Sequence, residues 1–265
     1  PNIQDVVTGT QSNFETSGGF GPNQVSTILG LGIFIFFVQL MLNSSNGILQ
    51  IINGGLVLFF AYRGLITFSR GGIYTGVAMI LLLLAILYFQ ANFQTKPKIA
   101  GIIVLSFLAT LAVWSYSSIK TNGLLDKRYA NQDAAGREKK SQLSGREILI
   151  ESELKMFYEN PILGVGVGKN KELRKSQTGI DLATHNEITR MLAEHGTLGI
   201  VGLLILVITP LYLFAVDRQN ILALSFFVFW LLTINHAAMR LSAPAFIYAL
   251  SLLKVYREAP AVHRK

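Results

Sequence analysis

The sequence predicts an all-α protein, a polytopic transmembrane helical bundle of about seven spans with one large extracytoplasmic loop that contains short helices. Two compositional observations support this class. Hydrophobic residues make up 51% of the 265 residues, and charged residues make up only 14%, against about a quarter in soluble domains. The mean hydropathy is +0.45, which favours an integral membrane protein over a soluble one.

The third observation is the grouping of apolar residues into runs of nearly spanning length, since a bilayer core needs about 20 helical residues. These runs cover residues 26–43, 48–63, 72–91, 99–116, 198–216, 221–237 and 242–256. Several are slightly short, so we expect flanking polar side chains to reach the interface. The clearest run is "VAMILLLLAILYF", and the weakest contains Asn53, Gly54 and Gly55.

The runs divide the chain into three parts. Residues 1–116 form an N-terminal membrane part with an outer stretch and about four spans, 117–197 form the large loop, and 198–265 form three spans and a tail. Basic residues in short connections predict the orientation, because they favour the cytoplasmic side. One side holds Lys96, Lys98, Arg218, Lys254, Arg257, Arg264 and Lys265, and the other holds Arg63, Arg70 and Arg240. The first side is therefore predicted to be cytoplasmic, and the N-terminal stretch 1–25 and the large loop 117–197 are predicted to lie outside.

Composition also excludes several kinds of site. The chain has no cysteine, so disulfides and thiolate metal sites are excluded. The four histidines show no metal-ligand spacing, and we expect no metal and no cofactor. The net charge of +8 is explained by membrane-flanking residues and a basic loop, without interleaved aromatics that would indicate a nucleic-acid partner.

Two capping boxes predict short helices within the loop. Ser144 and Glu147 precede the run "ILIESELKMFYEN", and Thr184 and Glu187 precede a second helix that Gly196 ends. The second box places His185 and Asn186 in a first helical turn, where the helix dipole favours a neutral imidazole. His185 is then a candidate general base, and the alternative is an interfacial histidine that bonds the loop.

Two arginines are candidates for binding an anion. Arg146 lies in the predicted first turn of the first loop helix, where the dipole disfavours a cation unless an anion is held there. The alternative is an arginine paired with Glu147 or Glu151. Arg70 opens the span 72–91 between Ser69 and Gly71, and it either snorkels to the interface or faces a polar cavity.

Two further patterns are less specific. "GVGVG", with Gly164, Gly166 and Gly168, follows a helix rather than a strand, so it is a flexible turn and not a dinucleotide fingerprint. Asn235 and His236 lie at the outer end of a span, where interfacial anchoring is the simplest interpretation.

Taken together, these motifs resemble the signature of the O-antigen ligase and polymerase superfamily. "ENPILGVGVGKN" resembles its glycine loop, and His185, Asn186, nine residues, Gly196 and Gly199 fit its His-Asn and Gly-x-x-Gly spacing. "SGREILIESELKMF", "TFSRGGIYTG" and "GFGPNQVSTILGLG" resemble further elements of the family. The chain departs at Asn170, where the family has an aromatic residue, and in lacking a tryptophan near Ile148.

The resemblance implies a metal-independent glycosyltransferase of the bacterial inner membrane. It would move a glycan from undecaprenyl pyrophosphate to lipid A-core, to a growing polysaccharide or to protein, so ligase, polymerase and protein O-oligosaccharyltransferase stay open. It implies that His185 acts as the base or orients the acceptor, that Asn186 holds the imidazole or the substrate, and that Arg70 and Arg146 clamp the pyrophosphate. Because the chain starts at Pro1 and shows four spans before its loop, we expect a C-terminal fragment.

Two rival classes fit the same composition. A solute transporter would need polar side chains or a broken helix near the membrane midplane, for which Asn53 with Gly54 and Gly55 is the candidate. A structural membrane scaffold would require neither His185 nor the paired capping boxes.

Overall fold

The computed structural model describes residues 3–139, 146–179, 181–182, 184–236 and 241–255. Within these ranges the chain is helical and contains no β-strand, which confirms the all-α class. The helices are α1 (Ile3–Val6), α2 (Pro22–Val38), α3 (Gly47–Leu65), α4 (Arg70–Gln90), α5 (Lys96–Lys120), α6 (Leu124–Tyr129), α7 (Glu147–Glu159), α8 (Lys169–Thr178), α9 (Glu187–Val216), α10 (Ala223–Thr233) and α11 (Ala243–Ser251).

In the described residues, five helical segments are long and apolar enough to cross a membrane, so the chain is a multi-pass membrane protein. They are Pro22–Asn43, which includes a π-helical turn after α2, and the helices α3, α4, α5 and α9. The last two predicted spans correspond to the shorter helices α10 and α11, with 11 and 9 residues. The count of seven spans therefore stays a prediction. Part of the predicted charge distribution, at Arg240, Arg257, Arg264 and Lys265, lies outside the described residues.

Helices α2 and α4 approach closely because small residues line their contact. A Cβ added at Gly72 would lie 2.1 Å from the carbonyl carbon of Ser26, and one added at Gly30 would lie 2.1 Å from the carbonyl oxygen of Gly72. Small residues four apart, such as Gly72 and Gly76, are typical of helix pairs in membranes. This contact fixes the start of α4, and with it Arg70, against the start of α2.

The bundle core lies where α2, α4 and α10 meet, and it contains Phe34, Met79, Leu83 and Phe229. The Ser225 hydroxyl of α10 donates to the Met79 carbonyl of α4 at 3.0 Å, which satisfies a polar group inside this core. Helices α5 and α9, in contrast, expose most of their apolar side chains. Such exposure suits contact with lipid rather than with water.

One end of the bundle carries a polar assembly built from distant parts of the chain. The N-terminal stretch contacts the connection between α3 and α4, where the backbone N–H of Asn13 donates to the Thr67 carbonyl at 3.0 Å. The same stretch reaches the beginning of the large loop, where the Thr10 hydroxyl donates to the Gln132 carbonyl at 2.8 Å. These contacts hold the N-terminal stretch and the start of the loop at the same end of the bundle.

Candidate active site at the loop end of the bundle

The connection before Arg70 is a tight corner with an unusual backbone. Phe68 is fully buried and has a φ of 57°, a left-handed conformation that is costly for a residue with a side chain. The Arg128 guanidinium donates to the Phe68 carbonyl at 2.9 Å through Nε, and Ser26 donates to the Ser69 carbonyl at 2.8 Å. These hydrogen bonds from α6 and α2 hold the backbone of the corner in place and fix the position at which α4 begins.

Four cations gather beside this corner, and we call Arg70, Arg128, Lys139 and Arg146 the cationic cluster. Burial lowers the pKa of Arg128, and the positive charges of Arg70 and Arg146 lower it further, against smaller opposing effects of Tyr129 and Tyr74. Burial also lowers the pKa of Lys139, followed by the charges of Arg128 and Arg70. The two arginines singled out in the sequence are therefore both close to a third, although they are far apart in the chain.

Arg128 and Lys139 were missed by sequence reasoning. They lie in a basic stretch of the loop that has no motif, so composition alone gives no reason to select them. Lys139 is held by a hydrogen bond from Nζ to the Thr10 hydroxyl at 2.8 Å. Only the fold brings these residues to the start of α4.

Arg146 occupies the N-cap position of α7, directly before Glu147. The predicted capping serine, Ser144, lies outside the described residues. Arg146 thus flanks a helix N-terminus, where free backbone N–H groups favour an anion.

The second capping box was assigned wrongly. The N-cap of α9 is Asn186, whose side-chain oxygen accepts from the backbone N–H groups of Ile188 at 2.9 Å and Thr189 at 3.3 Å. His185 therefore precedes α9 and does not lie in its first turn. The Thr184 hydroxyl lies 3.2 Å from the Glu153 carboxylate and accepts from the Asn186 backbone N–H at 3.3 Å, so these contacts lie before the first turn of α9.

Glu153 organises the loop, although no motif in the sequence indicates this role. This fully buried carboxylate forms an ion pair with the equally buried Arg174 at 3.2 Å and accepts from Asn170 at 3.2 Å and Thr189 at 2.6 Å. Its partners come from α8 and α9, while Glu153 lies on α7. The carboxylate therefore joins the three helices, and Asn170, the departure from the family's aromatic, has a structural role as one of its donors.

The glycine loop packs against the first part of α9. Gly164, Gly166 and Gly168 all have positive φ, and a Cβ at Gly164 would lie 2.4 Å from the Glu194 carbonyl carbon. The Val165 amide donates to the Ala193 carbonyl at 2.9 Å, and the Gly168 amide donates to the Glu194 carboxylate at 3.0 Å. The loop is thus an ordered support for α9 rather than only a flexible turn.

Helix α9 is kinked where the sequence places the end of the short helix. Gly196 has φ 60° and ψ −136°, values that interrupt the helix. A Cβ at Gly199 would lie 2.2 Å from the Met191 carbonyl oxygen, so a glycine allows the two halves to fold closely together. The kink separates a polar first half from the apolar membrane segment.

The start of α9 is tied to the start of α4 through the turn after α10. The Glu187 amide donates to the Ile234 carbonyl at 3.0 Å. Two residues later, the partly buried His236 ring packs against Gly71, where an added Cβ would lie 2.5 Å from the ring, and its Nε2 lies 3.1 Å from the Thr27 hydroxyl. The His236 ring therefore packs between the starts of α2 and α4, and its interpretation as an interfacial anchor stays a prediction.

These contacts define the class of protein, a multi-pass membrane protein with a cation-rich site at one end of its bundle. A family model described as O-antigen ligase matches residues 54–207, more than half of the chain. The chain therefore belongs to the O-antigen ligase family, which confirms the resemblance. That superfamily consists of glycosyltransferase-type enzymes that use lipid-linked glycans. Comparisons with curated proteins and with solved structures gave no match.

Proposed function

We propose that the chain is an O-antigen ligase-like glycosyltransferase of the bacterial inner membrane. It would move a glycan from undecaprenyl pyrophosphate to a hydroxyl of lipid A-core at the periplasmic face. The observation that carries this proposal is the cationic cluster, in which Arg70 and Arg146 both act on Arg128 at the end of the bundle where α9 begins. Family membership supplies the reaction class, and the cluster supplies a place for the anionic leaving group.

The arginines match the chemistry of the leaving group. When the glycosyl bond breaks, the electron pair leaves on the diphosphate, whose negative charge increases. Guanidinium groups hold phosphate oxygens through paired, charge-assisted hydrogen bonds. Positive groups that are already gathered before the reaction stabilise this charge at no reorganisation cost. Arg70 and Arg146 would hold the diphosphate, and Arg128 adds positive charge beside them.

His185 would act on the acceptor. The acceptor oxygen forms a bond to the anomeric carbon on the face opposite the diphosphate, so the configuration is inverted. The proton of the acceptor hydroxyl would move to a ring nitrogen of His185, which would make His185 the general base. No metal or cofactor is needed to balance this step.

Asn186 would act by positioning His185 rather than by contacting the substrate. Its amide oxygen caps α9, which fixes the backbone directly after His185. The first turn of α9 is further held by the Glu153 carboxylate through Thr189. This arrangement would present the imidazole at a defined place, which is what proximity effects in catalysis require.

The transporter alternative loses its main support in α3. This helix runs without interruption from Gly47 to Leu65, so the glycine pair at 54 and 55 does not break it. The Asn53 side chain donates to the Ser44 hydroxyl at 2.9 Å, and Ser44 lies just before the first residue of α3. A polar, broken segment at the midplane is what a carrier of this kind would need.

The test is glycan transfer by the chain reconstituted in vesicles with a lipid-linked glycan and lipid A-core, followed on gels. We expect His185→Ala, Arg70→Ala and Arg146→Ala each to lower the rate by about a hundredfold or more. The matched control is Arg137→Ala, which removes an exposed arginine paired with Asp133 in the same loop.

Melting temperatures must show that each variant is folded. A folded His185→Ala variant with the wild-type rate would overturn the base assignment. Parallel reactions with a repeat-unit polysaccharide or a hydroxyl-bearing protein as acceptor separate ligase from polymerase and protein oligosaccharyltransferase, because only one acceptor becomes glycosylated.

A further inference from the structure

The glycine loop exposes apolar side chains in an otherwise polar part of the molecule. Ile162 is 70% exposed, and Leu163 and Val167 are each 71% exposed. We call these three side chains the apolar tip. A surface loop in water normally places polar residues at such positions, and a group of exposed apolar residues marks a contact with a protein or a membrane.

The apolar tip is attached to the point where α9 enters its apolar segment. The Thr197 amide donates to the Pro161 carbonyl at 2.8 Å, and the Thr197 hydroxyl donates to the Ile162 carbonyl at 3.0 Å. The next residue, Leu198, is itself exposed and begins the apolar face of α9. The backbone that carries the tip is therefore bonded directly beside the start of this apolar face.

The depth of this face follows from the length of α9. Asp217 and Arg218 follow its last residue and mark one edge of the hydrocarbon core, because charged groups avoid that core. A core of about 30 Å corresponds to about 20 helical residues at about 1.5 Å each. Counting back from Asp217 places the opposite edge near Leu198, at the level of the apolar tip.

We propose that the apolar tip inserts into the lipid leaflet on the loop side and anchors the loop at a fixed depth. The occupant is bilayer lipid, because the tip lies beside the start of the apolar face of α9 and at the edge of the hydrocarbon core. Burial of exposed apolar side chains at this boundary is the usual source of interfacial binding. The proposal does not depend on the reaction proposed above.

The anchor acts on the site through the backbone of the glycine loop. Val165 and Gly166 donate to the Ala193 and Glu194 carbonyls at 2.9 and 3.1 Å, so the loop and the first half of α9 move together. The tip thereby sets the height of that half of α9 above the membrane.

The absence of cysteine from the chain allows a direct test. Single variants Leu163→Cys and Val167→Cys are labelled with an environment-sensitive nitrobenzoxadiazole dye in vesicles of phosphatidylethanolamine and phosphatidylglycerol. Glu172→Cys, exposed on α8, is the matched control in water, and Leu204→Cys, exposed on α9, is the control in lipid. Quenching is measured with a shallow spin-labelled phosphatidylcholine and with aqueous iodide.

We expect the lipid quencher to act about threefold more strongly at 163 and 167 than at 172, and iodide about threefold more weakly. Equal quenching at all three positions would place the tip in water and overturn the proposal. Protection from both quenchers would show that protein, such as a second copy of the chain, covers the tip, and this would also overturn it. Two labelled positions guard against disruption of the fold by one substitution.

Discussion

Two groups of charged residues lie at the same end of this bundle, and they solve opposite problems. Glu153 and Arg174 are fully buried, paired at 3.2 Å, and surrounded by donors from Asn170, Thr184 and Thr189. In the cationic cluster, the charges that act on Arg128 and Lys139 are mainly those of other cations. The first group is neutralised within the protein, whereas in the second the positive charges of neighbouring cations lower the pKa values of Arg128 and Lys139.

The difference teaches which group is structural and which suits a ligand. A buried carboxylate that is paired with an arginine and accepts further hydrogen bonds needs no ligand, and removing one partner of the pair leaves an uncompensated charge. A cation whose pKa is lowered by neighbouring cations, as at Arg128 and Lys139, is destabilised, and an anion relieves that cost. Perturbed groups of this second kind are typical of functional sites.

The largest effect is expected from a substitution that breaks the neutralised group. Glu153→Ala should lower the free energy of unfolding by about 3–5 kcal/mol, because the Arg174 charge stays buried without its carboxylate. Thermal unfolding followed by circular dichroism measures this. Glu172→Ala, which removes an exposed carboxylate from α8, is the control and should leave the melting temperature nearly unchanged.

A double variant sharpens this test. Glu153→Leu with Arg174→Met should recover part of the lost stability, because apolar replacement of a buried pair avoids desolvating charge. If Glu153→Ala and the Glu172→Ala control have the same melting temperature, the pair does not hold the three loop helices together and the comparison fails.

The second effect concerns the cationic cluster and has the opposite sign. Inorganic pyrophosphate at about 100 times its Kd should stabilise the chain by about 2.7 kcal/mol, because it binds only the folded state. The measurement is the melting temperature with and without pyrophosphate, with sulfate at equal ionic strength as the control salt. Arg70→Ala and Arg146→Ala should each reduce the shift, and Arg137→Ala should not.

A pyrophosphate shift that is unchanged by both Arg70→Ala and Arg146→Ala would contradict the assignment of this cluster to an anionic ligand.

Hydropathy predicted most of the membrane helices, because a spanning segment must bury its backbone polar groups in a helix of fixed length. It did not predict that the last two runs would form the shorter helices α10 and α11. Composition also could not predict which charged residues form the buried ion pair and which form the cationic cluster. Glu153 lies in the amphipathic run "ILIESELKMFYEN", where a glutamate is expected on a solvated face, and Arg174 is 21 residues away.

The site was predictable only where spacing carries physical information. The glycine kink at 196 follows from the need for a positive φ. The cap of α9 was misplaced because Thr184 and Asn186 are both good N-cap residues, and the choice depends on Glu153, which takes the threonine hydroxyl. Arg128 could not be found at all, because its contact with Phe68 joins residues 60 positions apart.

A smaller effect tests the cap of α9, whose first turn is also held by Glu153 through Thr189. Asn186→Ala should cost about 1 kcal/mol of stability by removing the cap of α9. Asn186→Ser keeps a capping oxygen and should keep both stability and most of the transfer activity. Melting temperature and transfer rate are measured on the same preparations. A stable Asn186→Ser variant without activity would show that the amide contacts the imidazole or substrate, and that the cap is not its main contribution.

The smallest effect comes from exposed ion pairs near the buried one. Lys175 and Lys171 hold Asp181 through side-chain hydrogen bonds and lower its pKa to about 2 from an ordinary value of 3.8. Because the folded-state pKa is the lower one, the contribution to stability is complete above pH 3.8 and is lost as the pH falls towards 2. At neutral pH it is small, since solvent and salt screen exposed pairs.

Asp181→Asn should therefore lower the melting temperature slightly at pH 7 and not at all near pH 2. The effect at pH 7 should be smaller at roughly 1 M salt, where the Debye length is only about 3 Å. The Glu153→Ala loss should persist in the same salt, because a buried pair is screened much less. Equal salt sensitivity of the two variants would mean that burial does not distinguish these carboxylates. In that case the contrast between a neutralised structural group and a ligand-binding cluster would lose its physical basis.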